Sequence, residues 1–216
     1  MAKGRHGGRR GGGDVGLNPN NIVLVKSLVS EREANQKIVD EVLTVFKDTM
    51  DEYGIGIEDI QIAKLKGKSK IATMAYFDGS NIAINETYFN DKVMKQAYEN
   101  CVSSGFHPSS GNKTGLQATI AHEIGHKLTD EVGVKMGFKS WVDFDKTATR
   151  IVNEARKQTN HRGVVKMASK ISKYATYSNA EAIAEAFSDV YCNRKNARAE
   201  SKAIMSVVNK YLKIRR

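Results

Sequence analysis

Apolar positions along the chain change their spacing from four residues to two and back to four, and each change marks an element. Residues 1–20 hold almost nothing to bury, so this Gly- and Arg-rich stretch is expected to be disordered. Residues 21–29 are rich in β-branched side chains and predict a strand. Ser30 and Glu33 then have capping-box spacing, and Ala34, Ile38, Val42, Phe46, Met50 and Tyr53 share one face of the helix they open. Gly54 is expected to end it. The spacing now shortens. Residues 60–65 alternate, residues 70–77 follow a Gly-Lys-Ser turn, and Asp78-Gly79 turns the chain into residues 82–84. These runs predict a small antiparallel sheet.

Helical spacing returns over residues 90–104, with Val93, Met94, Ala97, Tyr98 and Cys101 inward. Residues 105–113 form a polar Gly, Ser and Pro loop. His107 in that loop is expected to face solvent, with a place on a cleft wall as the lesser alternative. Thr114 and Gln117 have capping-box spacing, and Leu116, Ile120, Ile124 and Leu128 recur every four residues, predicting a core helix over residues 114–128. Gly133 and Gly137 are expected to break the chain after it. A further helix begins at Ser140, with Trp141, Phe144, Ala148, Ile151, Val152 and Ala155 as its packing face. In residues 174–191, Ile183, Phe187, Val190 and Tyr191 supply an apolar side, while Glu181, Glu185 and Asp189 form an acidic stripe among alanines. The expected class is α+β, mostly helical, with the sheet immediately before the 114–128 helix.

A chain of 216 residues can bury a real core, and residues 21–216 are expected to form a single domain. No apolar run approaches the roughly 20 residues a membrane-spanning helix needs, so no transmembrane segment is expected. Residues 1–20 lack the apolar core of a Sec-type signal peptide. A cytoplasmic location, or delivery by a non-Sec route, is the corresponding expectation. Cys101 and Cys192 make no disulfide framework and no Cys-x-x-Cys pair, so both are expected to be free thiols. The net charge of +10 belongs to the ends: residues 1–20 carry four basic residues and one acid, and residues 194–216 carry eight and one. Such ends predict weak contact with nucleic acid or an acidic partner, or else solvated tails.

The chemistry lies elsewhere. Within the 114–128 helix stands His122-Glu123-Ile124-Gly125-His126, a His-Glu-x-x-His motif. Two histidines four apart project from one helical face and can grip a single zinc ion, with Glu123 beside them as base for an activated water. Two surface histidines on an ordinary amphipathic helix would read the same way. A hydrolytic zinc site needs a third protein ligand and an open position. The acidic stripe offers Glu181 or Glu185, although Ser178 and Glu181 also have capping-box spacing, so Glu181 alternatively caps its own helix. No lysine interrupts residues 174–193, as one would on a solvated acidic face.

His122-Glu123-x-x-His126, followed by Tyr174 and by Asn179-Ala-Glu181-x-x-Ala-Glu185-Ala-Phe187, resembles the gluzincin metalloproteases. Within them it is most similar to the group that holds the catalytic domain of anthrax lethal factor and short proline-directed endopeptidases. The resemblance covers residues 114–128 and 174–191. It implies a zincin-like domain in which His122, His126 and Glu181 bind Zn2+ and Glu123 is the general base. Tyr174, seven residues before Glu181, reaches into the active site as an oxyanion donor, and Glu185 orients a ligand histidine. The implied activity is zinc-dependent hydrolysis of a protein or peptide substrate. An edge strand near residues 82–85 would pair with the extended substrate. Two other classes stay open. One is a nucleic-acid-binding or virion structural protein that uses its basic ends and carries an inactive zincin fold. The other is a zinc-stabilised toxin-like module that acts without cleaving. Every group hydrolysis requires is nevertheless present.

Overall fold

In the computed structural model the described residues are 36–55, 59–63, 73–79, 81–140 and 142–212. The expected tail at 1–20, the strand at 21–29, the Ser30–Glu33 pair, Ala34 and Trp141 lie outside them.

Helix α1 (Gln36–Tyr53) buries Ile38, Val39, Val42, Val45 and Phe46. Met50, assigned to that face by spacing, is 42% exposed. Thr49 faces inward instead, its hydroxyl donating to the carbonyl of Val45 at 2.8 Å. Gly54, at φ +65°, ends the helix as expected.

Three strands follow: β1 (Asp59–Ala63), β2 (Ala75–Phe77) and β3 (Asn81–Asn85), in the order β1-β3-β2. Asp78 tightens the β2–β3 turn by accepting the amide of Asn81 at 2.8 Å. β2 and β3 pair antiparallel, but β1 and β3 pair parallel. The sheet is therefore mixed and not purely antiparallel. Direction reverses at each successive strand, so the first and third run the same way. Period-two alternation cannot reveal that the third strand inserts between the other two.

Helix α2 (Asp91–Ser103) is capped by Asn90, whose side chain accepts the amides of Lys92 and Val93. Met94 and Tyr98 are buried, whereas Val93 is exposed, a correction to its assigned inner position. Helix α3 (Gly115–Lys135) has the expected capping box at Thr114 and Gln117, and Leu116, Ile120, Ile124 and Leu128 all lie in the core. It runs a further turn and more beyond residue 128. Gly133 does not break it, because there the helix lies against Thr147. The stop comes at Gly137, in the left-handed region at φ +78°.

Four further helices follow among the described residues. They are α4 (Phe144–Gln158), the short α5 (Val164–Ala168), α6 (Asn179–Asn193) and α7 (Ala199–Leu212), with a 3-10 turn at Tyr174–Thr176. α6 runs closely along α3, its Ala180, Ala182, Ala184 and Ala186 all buried. α7 lies in the basic C-terminal region, yet Ile204, Met205, Val207 and Val208 are buried. The described part of that region is a packed helix and not a solvated tail. Cys101 and Cys192 are free thiols. No described helix is long and apolar enough to cross a membrane.

Candidate metal centre

The helical period of α3 places His122 and His126 one turn apart, their ring centroids separated by 5.0 Å. The first turn of α6 brings a carboxylate to them. Ser178 caps that helix by accepting the Glu181 amide at 3.1 Å, but the Glu181 side chain does not return the bond as a capping box would. Its Oε2 lies 3.0 Å from His122 Nε2 and 3.6 Å from His126 Nε2. Even so, Oε2 is buried with no hydrogen-bond partner among the described residues. The atoms are close without being aimed along one another's donor direction. One ligand atom from each residue lies within 4.8 Å of the others, so His122, His126 and Glu181 can hold a metal ion.

Glu185 lies one turn further along α6 and is 1% exposed. Its Oε1 accepts from His122 Nδ1 at 2.7 Å and from His107 Nδ1 at 2.9 Å, and its Oε2 accepts from the Ser172 hydroxyl at 2.7 Å. Both its oxygens are committed, and among the described residues the side chains that could hold a metal ion include Glu181 and not Glu185. Burial pushes its carboxyl up, but the hydrogen bonds from His107 and His122 prevail and bring it down to about 2. It is an ionised acceptor, so His122 carries hydrogen on Nδ1 and presents Nε2 to the site.

Burial and ion pairing oppose each other across these groups. Burial alone would lower the pKa of His122, yet contacts with Glu181 and Glu185 hold it well above the usual imidazole range. Burial likewise opposes ionisation of Glu181, and His126 and His122 hold it well below the usual carboxylate range. His126 differs from His122: its Nδ1 is buried with no partner among the described residues, and its ring sits near Phe144, 6.2 Å between centroids.

Glu123 is buried beside the two histidines. Burial raises its pKa, partly countered by His122, by His126 and by a backbone hydrogen bond from Phe77. A raised carboxylate is a stronger base. Tyr174 stacks on His122 at 5.5 Å and on Phe106 at 5.0 Å. Burial first, then the charges of Glu181, Glu123 and Glu185, hold its phenol protonated well above the ordinary range, so it is a donor.

His122, Glu123 and Tyr174 line a cavity of about 300 Å³, together with Thr73, Met74 and Ala75. The amide of Asn85 donates to Met74 at 2.9 Å and that of Asp78 to Asn81 at 3.1 Å. Antiparallel alternation therefore turns the backbone of Ala75 away from β3. Among the described residues β2 is an edge of the sheet, while β3 is paired on both sides. The edge expected near residues 82–85 belongs to β2 instead, because β3 is the central strand.

His107 corrects another expectation. Its side chain is only 16% exposed and bonds Glu185. It sits in a loop without periodicity, and its partner lies 78 residues away, so no sequence signal marks it; the same holds for Ser172. His161 bonds Glu200 at 2.9 Å and lies apart from the metal group. Asp189, third in the acidic stripe, accepts from the Ser201 hydroxyl, the Arg198 amide and guanidinium, and Asn193. It fastens the start of α7 to α6.

In comparisons with protein families, curated proteins and solved structures, the chain finds no match.

Proposed function

We propose that this chain is a zinc-dependent endopeptidase of the gluzincin type, with a zincin-like domain resembling the lethal-factor group. The observation that carries the reading is the convergence of His122 Nε2, His126 Nε2 and Glu181 Oε2, with Glu123 and Tyr174 beside His122 on the wall of the cleft. Two imidazoles and one carboxylate suit zinc and leave a coordination position open. When bound, zinc supplies the Lewis acidity that makes a water nucleophilic near pH 7.

The protein's own groups do the rest. Glu123 takes the proton from the attacking water onto its carboxylate and passes it to the leaving amine. The Tyr174 hydroxyl donates a hydrogen bond to the oxygen that gains charge as the peptide carbonyl is attacked. Glu185 fixes the His122 ring through Nδ1. Ala75 presents its main chain along the cleft, where an extended peptide can add as a strand.

The test is metal analysis of the purified full chain, followed by digestion of a peptide library with and without a chelator. Stoichiometric zinc and chelator-sensitive cleavage are expected. A chain without zinc, or cleavage indifferent to chelator, overturns the reading.

A further inference from the structure

The geometry points to His107 as a positioning residue of the metal centre, acting through Glu185 on His122. The inference rests on reading His122 as a metal ligand.

Two imidazoles share one carboxylate oxygen. Glu185 Oε1 takes His122 Nδ1 at 2.7 Å and His107 Nδ1 at 2.9 Å. An ionised carboxylate only accepts, so both nitrogens must donate, and both rings carry hydrogen on Nδ1. For His122 this leaves Nε2 toward Glu181. For His107 it leaves Nε2 without a partner among the described residues, on a ring that lines the cleft.

The His107 ring is held on several sides. It lies parallel to Tyr98 at 5.7 Å, and meets Phe106 at 4.9 Å and Tyr174 at 5.4 Å edge to face. Its loop is tied to the segment carrying Tyr174: the amide of Lys173 donates to Gly105 at 2.9 Å and that of Tyr174 to Phe106 at 3.1 Å. A rigid donor thus approaches Oε1 from the loop side while His122 approaches it from α3. Ser172, from the segment before Tyr174, holds the other oxygen. Without His107, Oε1 depends on His122 alone and the carboxylate can swing away from it. A loop residue of the cleft wall therefore sets the aim of a ligand imidazole.

Two variants of the full chain separate this role from packing. His107→Phe keeps a ring between Tyr98 and Tyr174 but has no donor. His107→Asn loses the ring but places an amide N–H close to where Nδ1 sits. Zinc affinity is measured by competition with a chelator of known strength. Loss of such an outer partner weakens a site about 10- to 100-fold, so His107→Phe is expected in that range and His107→Asn within about three-fold of the parent. Parental affinity in His107→Phe, or equal weakness in both variants, overturns the proposal.

A second measurement needs neither zinc nor hydrolysis. In chelator-treated protein, exchange of the His122 Nδ1 proton with water is followed by nitrogen-15 NMR. It should quicken in His107→Phe and stay near the parental rate in His107→Asn. An unchanged rate in His107→Phe overturns the role. A chain that binds zinc but cleaves no peptide would instead refute the endopeptidase reading and leave this result standing.

Discussion

Gly125 and Ala184 meet backbone to backbone: a Cβ on Gly125 would lie 2.6 Å from Ala184 Cα. The glycine inside the His-Glu-x-x-His motif is therefore what lets α6 reach the two histidines. Helix propensity favours alanine at such a position by roughly 0.5–1 kcal/mol, but overpacking costs about 1–3 kcal/mol or more, so the clash prevails. Gly125→Ala is expected to lower stability and, by pushing Glu181 back, to weaken metal binding. Denaturant unfolding and zinc titration check both. Parental values in both would show that α6 gives way freely.

Glu181 and Glu185 should separate cleanly. Glu181→Ala removes the carboxylate that His126 and His122 hold ionised, so metal-free stability should fall somewhat while zinc affinity collapses. Glu185→Ala strips His107, His122 and Ser172 of their acceptor. Breaking a buried charged network is worth roughly 3–5 kcal/mol, with zinc affinity falling about 10- to 100-fold. Melting curves with and without chelator distinguish the two. A reversed order would exchange the ligand and the brace.

Glu123→Gln should retain zinc and lose about 10²- to 10⁴-fold in kcat, because an amide cannot take the proton. Tyr174→Phe keeps the rings against Phe106 and His122 and loses only the hydroxyl, so zinc stays and kcat drops about 10²- to 10³-fold. Metal content and steady-state rates decide each case. Substantial turnover by Glu123→Gln would move the base elsewhere.

Metal-free protein should lose stability toward both acid and base. Glu185 is depressed from 4.5 to about 2, so its contribution is complete above about pH 4.5 and vanishes as pH falls toward 2. At 1.36 kcal/mol per pKa unit that is roughly 3 kcal/mol. His122 is raised above 6.5, so its contribution is complete below that value and is lost as pH rises through its folded pKa. The two share one contact and are not additive. Denaturation at several pH values in chelator should show Glu185→Gln flattening the acid limb. An unchanged acid limb would place the effect on another carboxylate.

Helix α3 was legible up to residue 128 because its cap and apolar period lie in adjacent residues. Its last turns were not, since Gly133 marks a break in sequence and a contact with Thr147 in space. The two histidines that could hold a metal follow from local spacing alone, while spacing offered Glu181 as one of two carboxylates and only the resemblance, through Tyr174, singled it out. Choosing it needs the partners of Glu185, which come from α3, from the loop before it and from the segment before Tyr174. Helix α7 was hidden for another reason. Its basic residues dominate the composition of the C-terminal region, while Ile204, Met205, Val207 and Val208 supply the packing. The strand order was unreadable because alternation records faces and not neighbours.

The acidic stripe of α6 sets three tasks on one ruler. Glu181 meets the histidines, Glu185 steadies a ring, and Asp189 holds Arg198 and Ser201 at the head of α7. Four residues advance a helix by about 6 Å and return it to nearly the same side, so the three carboxylates stay in phase. One residue inserted between Glu181 and Asp189 would turn everything beyond it by about 100°. It would part Glu181 from Glu185, or Glu185 from the C-terminal anchor. The length of this helix between those carboxylates is therefore constrained as tightly as the carboxylates themselves.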